Sequence, residues 1–219
     1  MERHLLVILA HPDDESFVCA GYMAMLRERG IPVTYVCATN GQMGRNMGRP
    51  SFANRESLAA LRQQELHEAM KVLGVEDLRF LNLWDKTVEF EDPEILAGRL
   101  RSILNELNPS TVITFHPEQG GHPDHKAIGR AAIAAVEGLA PGQRPRLWFA
   151  AGHDRKDGPD LPLAVIDIKS FRDAKVAALR AHKSQTQGWD QGAKRDQKAR
   201  ERAERFLNQE RFWVYQPSG

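Results

Sequence analysis

Cysteine is nearly missing from this chain: there are two, Cys19 and Cys37, and they form no CxxC pair. They read as free thiols of a cytoplasmic protein rather than as a disulfide framework. An excess of either charge is missing as well. Lys and Arg total 30 against 29 Asp and Glu, a net charge of +1. That balance gives no electrostatic case for a nucleic-acid partner or an acidic membrane surface. No apolar run approaches the roughly 20 residues needed to span a bilayer. Leu5 to Ala10 leads straight into charged residues without a cleavage-like site, so no signal peptide is expected. There is no internal repeat. No GxGxxG follows the first apolar run, which counts against a nucleotide-binding Rossmann protein.

What is present is ordinary in bulk and ordered in pattern. At 219 residues, with 42% hydrophobic and 27% charged residues, the chain suits one compact domain over 1–219. Leu5-Leu6-Val7-Ile8-Leu9 has the pattern of a strand buried on both faces. A helix over 21–29 stops at Gly30, and the β-branched stretch 32–39 is a second strand. A glycine- and methionine-bearing loop fills 40–50. Leu58, Leu61, Leu66, Met70 and Leu73 recur at helical spacing over about 54–73, closed by Gly74. Strand 78–83, helix 92–107 with Pro93 in its first turn, strand 111–115 and the alanine-rich helix 127–139 continue the alternation. Strands 147–150 and 164–168 and a helix over 171–181 follow. This order predicts an α/β fold, a Rossmann-like open, mostly parallel sheet with helices on both faces. Residues 192–205 are dense in charge and predict a solvated helix or a mobile cover. Phe212 to Tyr215 is a last strand or an anchoring tail.

In such a sheet, ligands bind beyond the carboxyl ends of the strands. Where the first strand ends, His11-Pro12-Asp13-Asp14-Glu15 gathers one imidazole and three carboxylates. Acidic groups clustered at a buried strand end need a cation. Beyond the strand 111–115 come His116 and then Gly120-Gly121-His122-Pro123-Asp124-His125. Two such loops can converge and offer three N/O ligands with an open fourth position, the layout of a catalytic zinc site. The same donors also accept iron or manganese. Taken singly, His116 has a surface or capping role as its alternative reading, and Asp13 and Asp14 have capping of the following helix as theirs.

The HPDDE and HPDH segments resemble the paired signatures of the PIG-L/LmbE-type zinc-dependent N-acetylglucosamine deacetylases. Leu61-Arg62-Gln63-Gln64-Glu65 is similar to that family's R-x-x-E helix, and Leu83-Trp84-Asp85 to its substrate-facing aspartate. Ala181-His182-Lys183-Ser184-Gln185 resembles an AHxSQ segment of the thiol-biosynthesis members. The loop from Gly41 to Gly48 with Phe52-Ala53 and Arg55-Glu56, and the stretch Asp85 to Glu94, resemble the second type of bacillithiol-biosynthesis deacetylase.

The resemblance implies that His11, Asp14 and His125 ligate one Zn2+, with Fe2+ or Mn2+ as alternatives. It implies Asp13 as general base and His122 as an oxyanion donor, protonated and held in orientation by Asp124. The implied reaction is removal of the acetyl group from N-acetylglucosaminyl malate. A chito-oligosaccharide or another N-acetylglucosamine conjugate is the alternative substrate, and a non-catalytic sugar-binding or metal-sensing module the alternative class. Arg62 and Asp85 match sugar-contacting positions, against a surface salt bridge and a turn cap. Arg45, Arg49 and Arg55 offer a fork for the malate carboxylates, and Gln42 and Asn46 are hydrogen-bond candidates. A trimer or hexamer is the implied assembly. One departure is Gly120, where some members carry a Tyr.

Overall fold

The structure is a computed structural model that describes residues 2–152, 158–187 and 196–217. One seven-stranded sheet runs in the order β3-β2-β1-β4-β5-β7-β6. Its centre is β1 (Leu5–Leu9), every residue of which is buried. The continuous apolar run is therefore a strand covered on both faces. β2 (Val33–Thr39) and β4 (Thr111–Thr114) flank it in parallel, and β3 (Asp77–Leu83) and β5 (Arg146–Ala150) extend the sheet in parallel on either side. β7 (Gln209–Tyr215) enters antiparallel between β5 and β6 (Leu163–Asp167). The apolar 212–215 stretch is thus an internal strand, not a tail.

The helices divide into two packed sets. α1 (Asp14–Val18), α2 (Ala20–Glu28), α3 (Leu58–Leu73) and α6 (Arg172–Ala181) pack together, and α4 (Pro93–Leu107) packs with α5 (Pro123–Glu137). Right-handed crossovers and the reversal of strand order at β1 put the two sets on opposite faces. Local chemistry sets the helix ends. Gly74 closes α3 in the left-handed region at φ 70°. Asp92 caps α4 by accepting from the backbone N–H of Glu94 and Ile95, with Pro93 next in the chain. α5 begins four residues before the expected 127, with His122 as N-cap and Pro123 in its first turn. That earlier start places Asp124 and His125 on a helix instead of in a loop. Two short helices follow α6, α7 (Lys183–Thr186) and α8 (Gln197–Asn208). Of the charged stretch 192–205, residues 192–195 lie outside the described residues. The remainder belongs to α8, which is mostly exposed and packs on α6.

Candidate active site

Strand order reverses between β1 and β4, so the chain leaves their carboxyl ends toward opposite faces and opens a crevice there. Residues 10–13 follow β1, residues 115–122 follow β4, and residues 84–87 follow β3. Gly129 lets α5 lie close: a Cβ there would stand 2.3 Å from the Phe115 carbonyl oxygen. His125 is thereby carried to the mouth of β1, its ring stacked on Phe115 at 3.7 Å.

Three donors converge. His11 Nδ1 lies 3.2 Å from His125 Nε2 and 3.5 Å from Asp14 Oδ2, and His125 Nε2 lies 3.4 Å from Asp14 Oδ1. Ligands bound tetrahedrally at about 2.0–2.1 Å stand about 3.3 Å apart, so this triangle fits one zinc-sized cation. The far sides of both rings agree. His125 Nδ1 faces the Gly120 carbonyl at 3.0 Å, and His11 Nε2 faces Asp124 Oδ2 at 3.1 Å and Asp85 Oδ1 at 3.2 Å. With neutral rings each far nitrogen carries the proton, and the near nitrogens, 3.2 Å apart, are free to ligate one cation, for which a second proton on His11 is the alternative. The electrostatics point the same way. Burial alone would lower the His11 pKa, yet hydrogen bonds to Asp124, Asp14 and Asp85 push it up to about 12. Burial would raise Asp14, but His125 and His11 hold it well below the usual carboxylate range. The carboxylates around this imidazole create a field suited to positive charge.

Asp124 does not orient His122 as expected. Its carboxylate, fully buried, accepts from His11 and from the backbone N–H groups of Lys86 (2.7 Å) and Val88 (3.2 Å). His122 Nδ1 is 4.0 Å from that carboxylate and instead accepts the backbone N–H of Asp124 at 3.2 Å. The His122 proton therefore sits on Nε2. Burial, and then the neighbouring His11, lower its pKa, against the expected protonated ring. His11 and His122 meet edge to face at 5.0 Å.

Asp13 stands at the start of α1 with φ 129° and makes no side-chain cap bond, which sets the helix-cap alternative aside. Its Oδ2 lies 3.1 Å from Arg62 Nη2. Burial raises the Asp13 pKa to about 6 against the pull of Arg62. Arg62 itself is 3% exposed, so it is no surface salt bridge. It donates to the carbonyls of Gly41 and Pro12. Gly41 is required by that approach: its φ is +65°, and a Cβ would stand 2.3 Å from Arg62 Nη1.

His11, Asp13, Met43, Gly44, Arg45, Arg62, Asp85, Lys86 and His122 line a cleft of about 260 Å³. Asp85 is 3% exposed, accepts the Met43 N–H at 2.9 Å and so ties the loop after β2 to His11. Of the three arginines expected as a fork, only Arg45 lines the cleft. Arg55 donates to the carbonyls of Gly44 and Gln42, and Arg49 meets Gln187 through its backbone. Asn46 donates to the Gln185 carbonyl, and neither it nor Gln42 lines the cleft. His116 accepts two backbone N–H groups in a turn. Met43, Gly44 and Lys86 are the lining residues that the sequence reading did not single out, and Lys86 is the charged one among them. Its one signal is its place directly after Asp85.

An open parallel sheet with two imidazoles and a carboxylate at its switch point, and a further carboxylate on the cleft, is the construction of a metal-dependent hydrolase. The particular family follows from comparison. Residues 6–136 match the PIG-L family, GlcNAc-PI de-N-acetylase. The chain is 46% identical over 218 residues to the probable N-acetyl-alpha-D-glucosaminyl L-malate deacetylase 2 of Bacillus subtilis, covering 99% of each. It is 43% identical over 217 residues to the protein of that name in Bacillus cereus, covering 98% of this chain and 99% of that one. N,N'-diacetylchitobiose deacetylase from Pyrococcus horikoshii shares the fold, with a TM-score of 0.73 at 24% identity, over 98% of this chain and 84% of that one. The chain belongs to the PIG-L family. No helix among the described residues is long and apolar enough to cross a membrane.

Proposed function

We propose that this chain is a zinc-dependent deacetylase that hydrolyses the acetamide of N-acetylglucosaminyl malate in bacillithiol biosynthesis. The observation that carries the chemistry is the triangle of His11, Asp14 and His125, 3.2–3.5 Å on a side, with Asp13 on the adjoining cleft. Those three residues would hold the metal, which when bound would polarise the acetamide carbonyl and acidify water. Asp13 takes a proton from the attacking water. Its raised pKa suits a base that must hold that proton and then return it to the amine nitrogen as the C–N bond breaks. His122 donates its Nε2–H to the developing oxyanion as a neutral imidazole. Asp124 and Asp85 fix the His11 ring.

The malate reading is supported by the full-length likeness to the two Bacillus proteins and by two cations on the cleft wall, Arg45 and Lys86. A dicarboxylate aglycone calls for positive charge on the cleft wall. The test is a substrate panel on metal-reconstituted enzyme. N-acetylglucosaminyl malate should be turned over with a higher kcat/KM than a neutral N-acetylglucosaminide or a chito-oligosaccharide. Arg45→Ala should erase that preference while sparing the neutral substrate. Equal or greater activity of the wild type on the neutral sugar would sink the malate assignment but leave the deacetylase standing.

A further inference from the structure

The AHxSQ-like segment lies outside the donor triangle and the cleft, yet hydrogen bonds run from it to Glu15, to the helix that carries Arg62 and to the loop that carries Arg45. His182, at the carboxyl end of α6, is fully buried. Its Nε2 lies 2.6 Å from Glu15 Oε1. Glu15 is also fully buried and uses both oxygens: Oε1 accepts from Ser16 Oγ at 2.7 Å, and Oε2 accepts the backbone N–H of Asp13 at 3.2 Å. The other nitrogen of His182, Nδ1, is buried with no hydrogen-bond partner among the described residues. Leaving a buried polar atom unpaired is unfavourable, and an apolar side chain at this position would avoid it. The ring is kept for the one bond it makes. That bond holds Glu15, whose other oxygen accepts the N–H of Asp13, a residue at φ 129°, a conformation L-residues rarely adopt.

We propose that His182 is a positioning residue for the catalytic base, acting through Glu15 to fix the backbone of Asp13. Asp13 is thus gripped on two sides: its carboxylate by Arg62 and its peptide N–H by Glu15. The remainder of the segment serves the cleft wall. Ser184 donates both its N–H and its hydroxyl to Glu65, on the helix that carries Arg62. Gln185 exchanges hydrogen bonds with Asn46, in the loop that carries Arg45. One short segment therefore serves turnover through His182 and substrate capture through Gln185.

This rests on the reading of Asp13 as the base, and the experiment separates the two. Metal-loaded enzyme is assayed for acetate release from N-acetylglucosaminyl malate with His182→Gln, whose amide nitrogen falls where Nε2 was, and with His182→Asn, whose amide nitrogen falls where Nδ1 was. His182→Asn should lower kcat by about 10- to 100-fold with KM and metal content unchanged, as for other groups that orient an active residue. His182→Gln should restore most of kcat. In an Asp13→Ala background neither change should lower the residual rate further, because its target is gone. Gln185→Ala should instead raise KM and leave kcat. Equal rates for the Gln and Asn variants, or an Asn loss that persists in full without Asp13, would overturn the proposal. Wild-type kcat in Asp13→Ala alone would instead condemn the base assignment. Should His182→Asn fail to fold, His182→Leu carries the test: it removes the bond to Glu15 without leaving a buried ring nitrogen unpaired, so kcat should fall while metal content holds, and an unchanged kcat overturns the proposal.

Discussion

Asp13 and Asp14 are neighbours in the chain with opposite electrostatic fates. Asp14 is held well below the carboxylate range by two imidazoles after burial has been overcome, while burial keeps Asp13 raised to about 6. One is suited to ligate and the other to exchange a proton. Asp13→Ala should therefore lower kcat by about 10²- to 10⁴-fold while elemental analysis finds the metal content of the wild type. Loss of the metal together with activity would assign Asp13 to the ligand set. Asp124 calls for a different outcome. Its carboxylate orients His11 and accepts two backbone N–H groups, so Asp124→Asn, which turns one acceptor oxygen into a donor, should weaken metal affinity by about 10- to 100-fold in a competition titration. The donors were legible in the sequence because each motif follows an apolar strand. The partner of Asp124 was not, because it depends on which nitrogen of the His11 ring turns toward the start of α5.

At the scale of elements, the strands were legible almost residue by residue except β7, which begins three residues before the expected 212, and the helix starts were less so. The expected 127–139 helix begins at Pro123 because a histidine supplies the cap, a residue outside the usual Ser, Thr, Asp and Asn. α1 is five residues, too short for any periodicity to register. The His182–Glu15 bond joins residues 167 apart in the chain, and only the packing of α6 on α1 brings them together. The edge of the sheet gives a pH test. Hydrogen bonds from Arg79, helped by Thr34, hold the Asp77 pKa down, and Arg79 does the same for Glu106. Depressed carboxylates stabilise the fold above their unfolded value of about 4 and lose that contribution as pH falls through the native value. In urea unfolding, Arg79→Gln should be less stable than the wild type at neutral pH. The two should converge below about pH 4. A gap that stays constant with pH would mean that Arg79 acts through packing alone.

For the molecule as a whole, the parallel half of the sheet carries the chemistry and the antiparallel half fastens it from behind. Glu210 on β7 is 1% exposed, accepts the first backbone N–H groups of α2 at Gly21 and Tyr22, and pairs with the fully buried Lys175 at 2.8 Å. Removing one partner of such a pair strands a buried charge, so Glu210→Ala should cost about 3–5 kcal/mol in chemical denaturation. A smaller loss would mean that water reaches Lys175 in the variant. The arrangement of β7 also bears on how the chain is made. Among the described residues β6 pairs with β7 alone, and β7 spans residues 209–215. As the chain leaves the ribosome, residues 163–167 emerge well before that neighbour in the sheet exists. Strands β1 to β5 can assemble in the order of synthesis, whereas β6 must wait for its partner to be threaded into the gap beside β5. Closure of the sheet, and with it the buried clamp on α2, is a late event in the life of each new molecule.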